Sequence, residues 1–404
     1  MKKILSLVLA LMLLLTATAC TQQSANPNGG SDPTTPTKDP ATLDKLYQIK
    51  SYSGTAEAVA AARDTVIATL GDAQLTNGLF QMYFWMDVYD FLNNYGSYVS
   101  SYGLDISKPL DAQGCPNTDG TWQHHFVGSA LEAWRYYQSL ALAFDEAGMV
   151  MSEEHQKKLD GLEDELKADA EEGKFESIDA MIQTDAGPGA LAEDYYLYTT
   201  LYYKAYSYFN NTLDAIDITD EMIDEYFTKN QAKLSVDGIT KDTGDCCSVR
   251  HILFQVPTEA KDADWEECRQ KAEDTLNKWL AGGATEDSFA ALAKELSEDP
   301  GSQEQGGMYN GLTSQTNFVQ EFKDWYLAEG RQVGDYGIVK TSYGYHIMYY
   351  SGTEPIWYYY CREMIRDEKA NELVNNAVSK NTLSVDYEKI LIGEVQLVKE
   401  AEDK

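Results

Sequence analysis

The longest pattern in the chain is helical. Between residues 46 and 240, apolar side chains recur every three or four positions, which is the spacing of helices that bury one face. The stretch LFQMYFWMDVYDFLNNYGSYV, which starts at Leu79, keeps this spacing without a proline. Gly148 and the GPG triplet at 187–189 interrupt the pattern, as residues at helix ends do. The pattern therefore predicts a mostly helical domain over residues 46–240.

After about residue 246 the pattern changes to short strands and helices. A strand, two helices, a glycine-rich loop, a short helix and a pair of strands are predicted in the stretches SVRHILFQV, ADWEECRQKAEDTLNKWLAGG, EDSFAALAKELS, EDPGSQEQGGMYNG, NFVQEFKDWYLAEG and YGIVKTSYGYHIMYYSG. This order predicts a small separate domain over residues 246–352. Together with the helical region, it predicts the α+β fold class.

Residues 353–404 continue with a predicted helix and then a strand-like segment. Their aromatic and apolar residues are too numerous for a loose tail, so we expect them to pack back on the helical domain. The small domain would then be an insertion in a discontinuous helical domain. A self-contained tail is the alternative.

Two of the five histidines fall in the middle of predicted strands. Side chains alternate between the faces of a strand, so His251 shares a mostly apolar face with Val249 and Leu253, and His346 shares one with Met348. A buried polar group without a partner costs roughly 1–3 kcal/mol. If the two strands are neighbours, the imidazoles can bond to each other, and this is the partner we expect. Taken alone, the favoured interpretation of His251 is a core histidine satisfied by another group.

The predicted helices hold an unusual number of tyrosines. Their helical spacing favours the core of the helical domain. An adaptable apolar surface for unfolded polypeptides and a carbohydrate-binding surface are the alternatives.

The chain has 65 acidic and 32 basic residues, for a formal net charge of −33. Such a charge repels nucleic acid and anionic lipid, so no nucleic-acid partner is expected. The acidity keeps a secreted protein soluble, and attraction of basic unfolded polypeptides is the functional alternative.

The cysteines other than Cys20 show no metal-binding spacing. No Cys/His spacing suits zinc and an adjacent cysteine pair is a poor chelate, so neither a metal nor a cofactor is expected. We expect structural or free thiols, and one disulfide stays open without an assigned pairing. These cysteines are Cys115, Cys246, Cys247, Cys268 and Cys361.

The first 19 residues place two lysines before an apolar run that is too short for a transmembrane helix, which predicts a secretory signal peptide. The ending at 17–20 resembles the lipobox of bacterial lipoproteins. This resemblance implies cleavage before Cys20, a diacylglycerol on its sulfur and a lipid anchor on the extracytoplasmic side of the cell membrane. An ordinary signal peptide is the alternative. Residues 20–45 lack apolar periodicity and are expected to form a flexible linker.

Six motifs of the small domain resemble, in register, the parvulin family of peptidyl-prolyl cis/trans isomerases. They are VRHILF, FAALAKELSEDPGS, the Gly306–Gly307 pair, the phenylalanines of NFVQEF, GDYGIVKT and YGYHIMYY. The resemblance implies a parvulin isomerase domain with the element order β-α3-β-α-β2. The lipobox and the flanking helical regions make the whole chain similar to PrsA-type foldase lipoproteins, with a mostly helical domain whose layout resembles SurA-like chaperones.

The resemblance implies catalytic roles for four residues. The two core histidines of the family correspond to His251 and His346. The position that is cysteine in some parvulins and aspartate in many bacterial ones corresponds to Asp299. The threonine in the strand before the second histidine corresponds to Thr341.

The resemblance also implies a substrate-binding pocket for the proline ring. The usual methionine and phenylalanine, four residues apart, correspond to Phe318 and Phe322, and Met308 or Tyr309 takes the leucine position of the glycine loop. Phe318 replaces the methionine, and the loop before Phe322 is one residue longer than usual. Either departure could narrow the pocket.

Phospho-specific parvulins carry a basic cluster after the first strand. The corresponding segment here, QVPTEAKDADWEE, has one lysine among several acids. A phosphorylated substrate would be repelled, so broad recognition of unphosphorylated chains is expected.

We therefore expect an extracytoplasmic foldase that isomerises X-Pro bonds of unfolded, newly translocated polypeptides and binds them through its helical region. A holdase chaperone with an inactive parvulin domain is the first alternative. A solute-binding lipoprotein is the second, but it requires alternating strands and helices throughout two lobes, and the long helical region speaks against it.

Overall fold

The computed structural model describes residues 45–116, 118–303 and 305–393. The predicted signal peptide, the predicted lipid site at Cys20 and nearly all of the predicted linker lie outside the described residues. Within these three ranges, no helix combines the length and the apolar character needed to cross a membrane.

The described elements are long helices and shorter strands, and five helices follow one another between residues 122 and 236. In chain order the helices are α1 (Ala56–Ala61), α2 (Asn77–Tyr95), α3 (Trp122–Glu146), α4 (Glu153–Glu172), α5 (Ile178–Ala186), α6 (Ala192–Asp214), α7 (Asp220–Val236), α8 (Asp262–Ala281), α9 (Glu286–Leu296), α10 (Gln320–Tyr326) and α11 (Ile356–Ser379). The strands are β1 (Ser53–Gly54), β2 (Val66–Leu70), β3 (Ala73–Thr76), β4 (Asp245–Gln255), β5 (Met308–Leu312), β6 (Tyr336–Thr341), β7 (Gly344–Pro355), β8 (Leu383–Val385) and β9 (Ile392–Gly393).

The chain divides into two compact units. The first contains the described parts of Met1–Ile216 and Lys369–Lys404, and the second is Asp217–Glu368. The first division precedes α7, earlier than the boundary near residue 240 that the sequence pattern predicts. The second falls inside α11. The α+β fold class is confirmed, because long helices occur together with small sheets that are mostly antiparallel.

The core of the first unit is built from helix-spaced aromatic residues. Helices α2, α3 and α6 pack together there, and α2 begins where Thr76 accepts a hydrogen bond from the Leu79 amide. Large aromatic side chains of these helices are buried among one another: Tyr83, Phe84, Phe126, Trp134, Tyr195 and Tyr198. For these residues the structure supports the interpretation of tyrosines as core.

The C-terminal strands complete the sheets of the first unit. β8 pairs antiparallel with β2, and β9 pairs parallel with β1. Two fully buried amides of α2 hold the segment between these strands. Asn77 donates from Nδ2 to the Leu391 carbonyl at 3.0 Å and accepts from the Leu391 amide at 3.1 Å, while Gln81 Nε2 donates to the same carbonyl at 2.8 Å.

The second unit contains an antiparallel sheet of strand order β5-β4-β7-β6. One face, with Ile252 and Phe254, packs on Phe289 of α9 and on α8. The other face, with Val249 and Met348, packs on α10. The predicted alternation along β4 is therefore confirmed.

The element order of the second unit differs in one detail from the predicted β-α3-β-α-β2. Between β4 and β5 the described residues form two α-helices, and turns occupy the place of the third. Pro300 follows directly on Asp299, and Gly306 and Gly307 have φ angles of 66° and 74°. Positive φ is a conformation that glycine adopts without strain but that a helix does not contain.

We predict that Asn77→Leu loosens the C-terminal segment, because the Leu391 amide loses a buried acceptor. Leaving such a group unsatisfied costs about 1–3 kcal/mol. Hydrogen exchange at the Leu391 amide should speed up by about tenfold or more. The exposed Asn375 of α11 offers a matched control, Asn375→Leu. Equal exchange rates in the two variants would contradict the role given to Asn77.

Candidate active site

The sheet of the second unit places His251 and His346 next to each other. β4 and β7 pair with Leu253 opposite His346 and His251 opposite Met348, so the two histidines are diagonal neighbours on one face. Their Nδ1 atoms lie 3.1 Å apart, their rings are stacked with centroids 5.3 Å apart, and both side chains are buried. The predicted histidine pair is confirmed.

Asp299 lies on the other side of the His251 ring. Its Oδ2 atom is 2.9 Å from His251 Nε2 and accepts hydrogen bonds from Ser302 Oγ at 2.5 Å and from the Tyr309 hydroxyl at 2.9 Å. Ser302 Oγ also lies 3.0 Å from His251 Nε2. Three side chains thus converge on one carboxylate oxygen.

Thr341 closes the opposite end of the network. Its Oγ1 lies 2.8 Å from His346 Nε2 and accepts a hydrogen bond from the Tyr343 amide. The network assigns one direction to every bond when both imidazoles are neutral: Thr341 donates to His346 Nε2, His346 Nδ1–H donates to His251 Nδ1, and His251 Nε2–H donates to Asp299. Each buried polar atom of the two rings then has a partner.

The backbone beside β4 fixes the position of Asp299. The Glu298 amide donates to the Leu253 carbonyl at 2.8 Å, and Ser297 Oγ accepts from the Leu253 amide at 3.1 Å. The segment leading to Asp299 therefore runs along the edge of β4 next to His251.

Gly307 lets the glycine-rich loop approach the strand. Its carbonyl accepts a hydrogen bond from the His251 amide at 2.8 Å. A Cβ atom at Gly307 would collide with the His251 carbonyl oxygen, and its φ of 74° is also unfavourable for other residues. On the opposite face, Arg250 donates to the carbonyls of Gln305 and Gly306 at 3.0 Å. The loop is thus held from both sides of β4.

The surroundings of the network shift the pKa values of its groups and so set their charge states. Burial alone would raise the pKa of Asp299, but the hydrogen bond and charge of His251 and the hydroxyls of Ser302 and Tyr309 outweigh it and hold the pKa well below its usual range. Burial, reinforced by His251, lowers the pKa of His346 to about 3. Burial and the neighbouring Asp299 raise the pKa of the Tyr309 hydroxyl. At neutral pH the site therefore combines an ionised carboxylate, a neutral His346 and a protonated Tyr309.

An apolar wall stands over this polar floor. The Phe318 ring packs against Tyr309 and Phe322 with centroid distances of 4.9 and 5.0 Å. Phe322 is buried and stands edge-on to His251 and His346, at 5.2 and 5.4 Å. Wall and floor enclose a cavity of ≈ 490 Å³. Its lining is His251, Leu253, Gln255, Asp299, Pro300, Tyr309, Asn317, Phe318, Val319, Phe322, Tyr343 and His346.

The structure brings most of the predicted site residues together. His251, Asp299 and His346 form the floor, Thr341 lies directly behind His346, and Phe318 and Phe322 form the wall. Their roles stay predictions.

The alternatives Met308 and Tyr309 are resolved in favour of Tyr309. Tyr309 lines the cavity, whereas Met308, the residue before it on β5, does not. Met308 pairs with Arg250 on β4. Neighbouring strand residues point to opposite faces, so only one of the two can face the cavity.

Sequence reasoning gave no role to several residues of the site. Ser302, fully buried between Asp299 and His251, lies in the EDPGS motif three residues after Asp299, and that spacing was the available signal. The rim residues Asn317 and Tyr343 carried no signal, because both lie in loops whose course the strand pattern does not fix.

Among the described residues, the lining of the cavity has no lysine or arginine. In the described part of the chain, no group of three or more histidine, cysteine, aspartate or glutamate side chains is placed to hold a metal ion. The arrangement can hold an apolar ring against the aromatic wall and present a fixed, ionised carboxylate beside it.

The comparisons with known proteins identify the second unit. Residues 232–352 match the family model described as the PPIC-type PPIASE domain. The chain is 50% identical over 64 residues to the foldase protein PrsA 3 of Bacillus cereus, covering 15% of this chain and 21% of that protein. It is 36% identical over 99 residues to the putative peptidyl-prolyl cis-trans isomerase Cbf2 of Campylobacter jejuni, covering 24% of this chain and 32% of that protein. The alignments thus span a third or less of these relatives.

Among solved structures, PrsA from Bacillus subtilis is 19% identical with a TM-score of 0.32, covering 68% of this chain and 92% of that chain.

We predict that Thr341→Val destabilises the second unit, because His346 Nε2 loses its buried donor while the side-chain shape is kept. The expected cost is about 1–3 kcal/mol. Amide hydrogen exchange in β7 should speed up about tenfold in the full chain. The control is Thr258→Val at an exposed position. Exchange as slow as in the control would show that the hydroxyl is not the partner of His346.

We predict that the His346 ring stays neutral well below the usual histidine pKa of about 6.5. The unfolded chain takes up a proton near that pH and the folded one only near pH 3. The contribution of His346 to the free energy of unfolding is therefore fully present above about pH 6.5. It decreases as the pH is lowered, by about 2 kcal/mol between pH 7 and pH 5. NMR titration of the five labelled histidines checks this directly. A His346 midpoint near 6.5 would contradict it.

Proposed function

We propose that this chain, whose residues 232–352 form a parvulin-type peptidyl-prolyl isomerase domain, is an extracytoplasmic foldase. It would catalyse cis/trans isomerisation of X-Pro bonds in unfolded polypeptides and bind these polypeptides through its helical first unit. The observation that carries the proposal is the cavity of the second unit, where an aromatic wall faces a fixed carboxylate and a pair of hydrogen-bonded histidines.

The cavity suits the physical demand of the reaction. The barrier to peptide-bond rotation, roughly 18–20 kcal/mol, comes from amide resonance that is lost as the C–N bond twists. Catalysis requires that the twisted amide be bound more tightly than either planar form. Phe318 and Phe322 would hold the proline ring, and the floor of Asp299 and the histidines would set the polarity under the twisting bond. No covalent intermediate is needed.

The charges of the cavity favour unphosphorylated substrates. The ionised carboxylate of Asp299 lies in the described lining, and no lysine or arginine of that lining is available to pair with a phosphate. We therefore propose broad recognition of X-Pro segments.

The sequence of residues 1–20 supports the proposed location. A secretory signal followed by Cys20 in a lipobox-like setting would place the protein on the outer side of the cell membrane, held by a lipid anchor. Chains that arrive there are unfolded, and prolyl isomerisation takes tens of seconds, slow enough to limit folding. The partners would be these polypeptides and the membrane.

An isomerase-inactive holdase is the second candidate. Phe318, in the place of a more flexible methionine, is half-buried and packs on both Tyr309 and Phe322, which narrows the space left for a proline ring. The solute-binding alternative finds no support, because the described first unit is built on long helices rather than on alternating strands and helices.

We predict that Phe318→Ala lowers kcat/KM for a short unphosphorylated X-Pro peptide by about tenfold or more, because the ring loses apolar contact in the transition state. Asp299→Ala should also lower it, with KM changed less than kcat. Proline isomerisation is followed in the full chain, with the exposed Tyr336→Ala as control. Wild-type catalysis no faster than background, in a folded protein, would contradict the enzyme proposal and favour the holdase.

A further inference from the structure

The segment after α2 has an unusual composition. Residues 93–103 read NNYGSYVSSYG, in which ten of eleven residues are asparagine, tyrosine, glycine or serine and none is charged. In a chain with a formal net charge of −33, this is a neutral stretch rich in hydroxyl and amide groups. It begins in the last turn of α2 and continues through the 3-10 helix Gly96–Tyr102.

Its tyrosines are exposed, unlike the buried tyrosines of the helical core. Tyr95, Tyr98 and Tyr102 are 37%, 70% and 47% exposed, and nearby Ile106 is 40% exposed. We call these four residues the tyrosine patch. Tyr95 and Tyr102 touch, with ring centroids 4.3 Å apart, and Tyr98 lies one 3-10 turn after Tyr95.

The patch rests on a rigid base. The half-buried Phe91 contacts the rings of Tyr95 and Tyr102 at 4.8 and 6.2 Å and reaches down to Trp122 at 5.1 Å. Trp122 Nε1 in turn donates a hydrogen bond to the Gly103 carbonyl at 3.2 Å. The rings of Tyr95 and Tyr102 are thus held before any ligand arrives, which reduces the entropy lost on binding.

The chemistry of the patch fits a polypeptide. Surfaces of tyrosine, serine, glycine and asparagine bind polypeptides well, because tyrosine offers a large amphipathic ring with few rotatable bonds and the small polar residues adapt their hydrogen bonds. Between residues 84 and 112 the chain has four aspartates and one lysine, and this lysine, Lys108, pairs with Asp105, so the stretch carries an excess of negative charge. Cationic side chains are attracted there, and arginine also stacks on tyrosine rings.

We propose that the tyrosine patch is a docking site for extended, unfolded polypeptide segments that carry arginine among proline and apolar residues. The proposal rests on the proposed foldase function for the identity of the ligand. It places polypeptide binding on a surface of the first unit whose residues do not line the isomerase cavity of the second.

The test is fluorescence anisotropy with the full chain and a fluorescein-labelled unstructured peptide in which arginine, proline and phenylalanine alternate. A matched peptide carries glutamate in place of arginine. We expect the arginine peptide to bind more tightly than the glutamate peptide. The double substitution Tyr98→Ser and Tyr102→Ser should raise its Kd by about tenfold or more.

Tyr196→Ser is the matched control, because Tyr196 lies on α6 of the same unit and is also 47% exposed. It should leave the Kd unchanged. An unchanged Kd in the double variant, or an equal loss in the control, would overturn the proposal. So would binding of a soluble chitin oligosaccharide that the double variant loses while peptide binding stays intact.

Isomerisation of a short X-Pro peptide by the wild-type chain is measured in parallel. Absence of catalysis would contradict the proposed isomerase activity and leave the peptide-binding result intact. Catalysis without a patch-dependent Kd would overturn the docking site alone. The two failures are therefore distinguishable.

Discussion

The carboxylate of Asp299 carries a negative charge at a half-buried position, and the groups around it are arranged to meet that charge. An isolated buried carboxylate would be costly, so it persists only with donors around it. His251, Ser302 and Tyr309 all reach the same oxygen, Oδ2. With both imidazoles neutral, His251 uses its Nε2 proton there, so its Nδ1 accepts from His346 and Thr341 supplies the last proton. One charge thus orders five side chains.

This order links the aromatic wall to the floor. Tyr309 takes part in both, because its hydroxyl binds Asp299 while its ring packs on Phe318. Phe322 stands edge-on to both histidines, which lets the partly positive ring edge meet aromatic faces. A change in the polar network would therefore also move the aromatic wall of the cavity. The geometry of the cavity and its electrostatics are not independent properties.

Features that depend on helix and strand periodicity could be predicted from the sequence. Features that depend on the conformation of turns and loops could not. The histidine pair follows from side-chain alternation in two strands, and the helical core of the first unit follows from the spacing of its aromatic residues. The choice between Met308 and Tyr309 depended on the register of β5 after two glycines with positive φ, which no local pattern gives. Ser302 reaches Asp299 across a turn whose course the periodicity does not predict. The exposed residues Tyr95, Tyr98 and Tyr102 are the same residue type as the buried tyrosines of the core. Residue type alone therefore does not tell which tyrosines are exposed.

The C-terminal strands β8 and β9 determine when the first unit can complete its folding. The Asn77 amide and its partner Leu391 are 314 residues apart in sequence, and the whole of Asp217–Glu368 lies between them. A chain made and exported from its N-terminus has the second unit in full before β8 and β9 exist. Until then, two fully buried amides of α2 have no partner in this segment, and β2 lacks a neighbour on one edge. A polypeptide that ends before residue 383 lacks β8 and β9, so it cannot complete the two sheets of its first unit. Folding of the first unit therefore depends on synthesis of the chain through the second unit and beyond it.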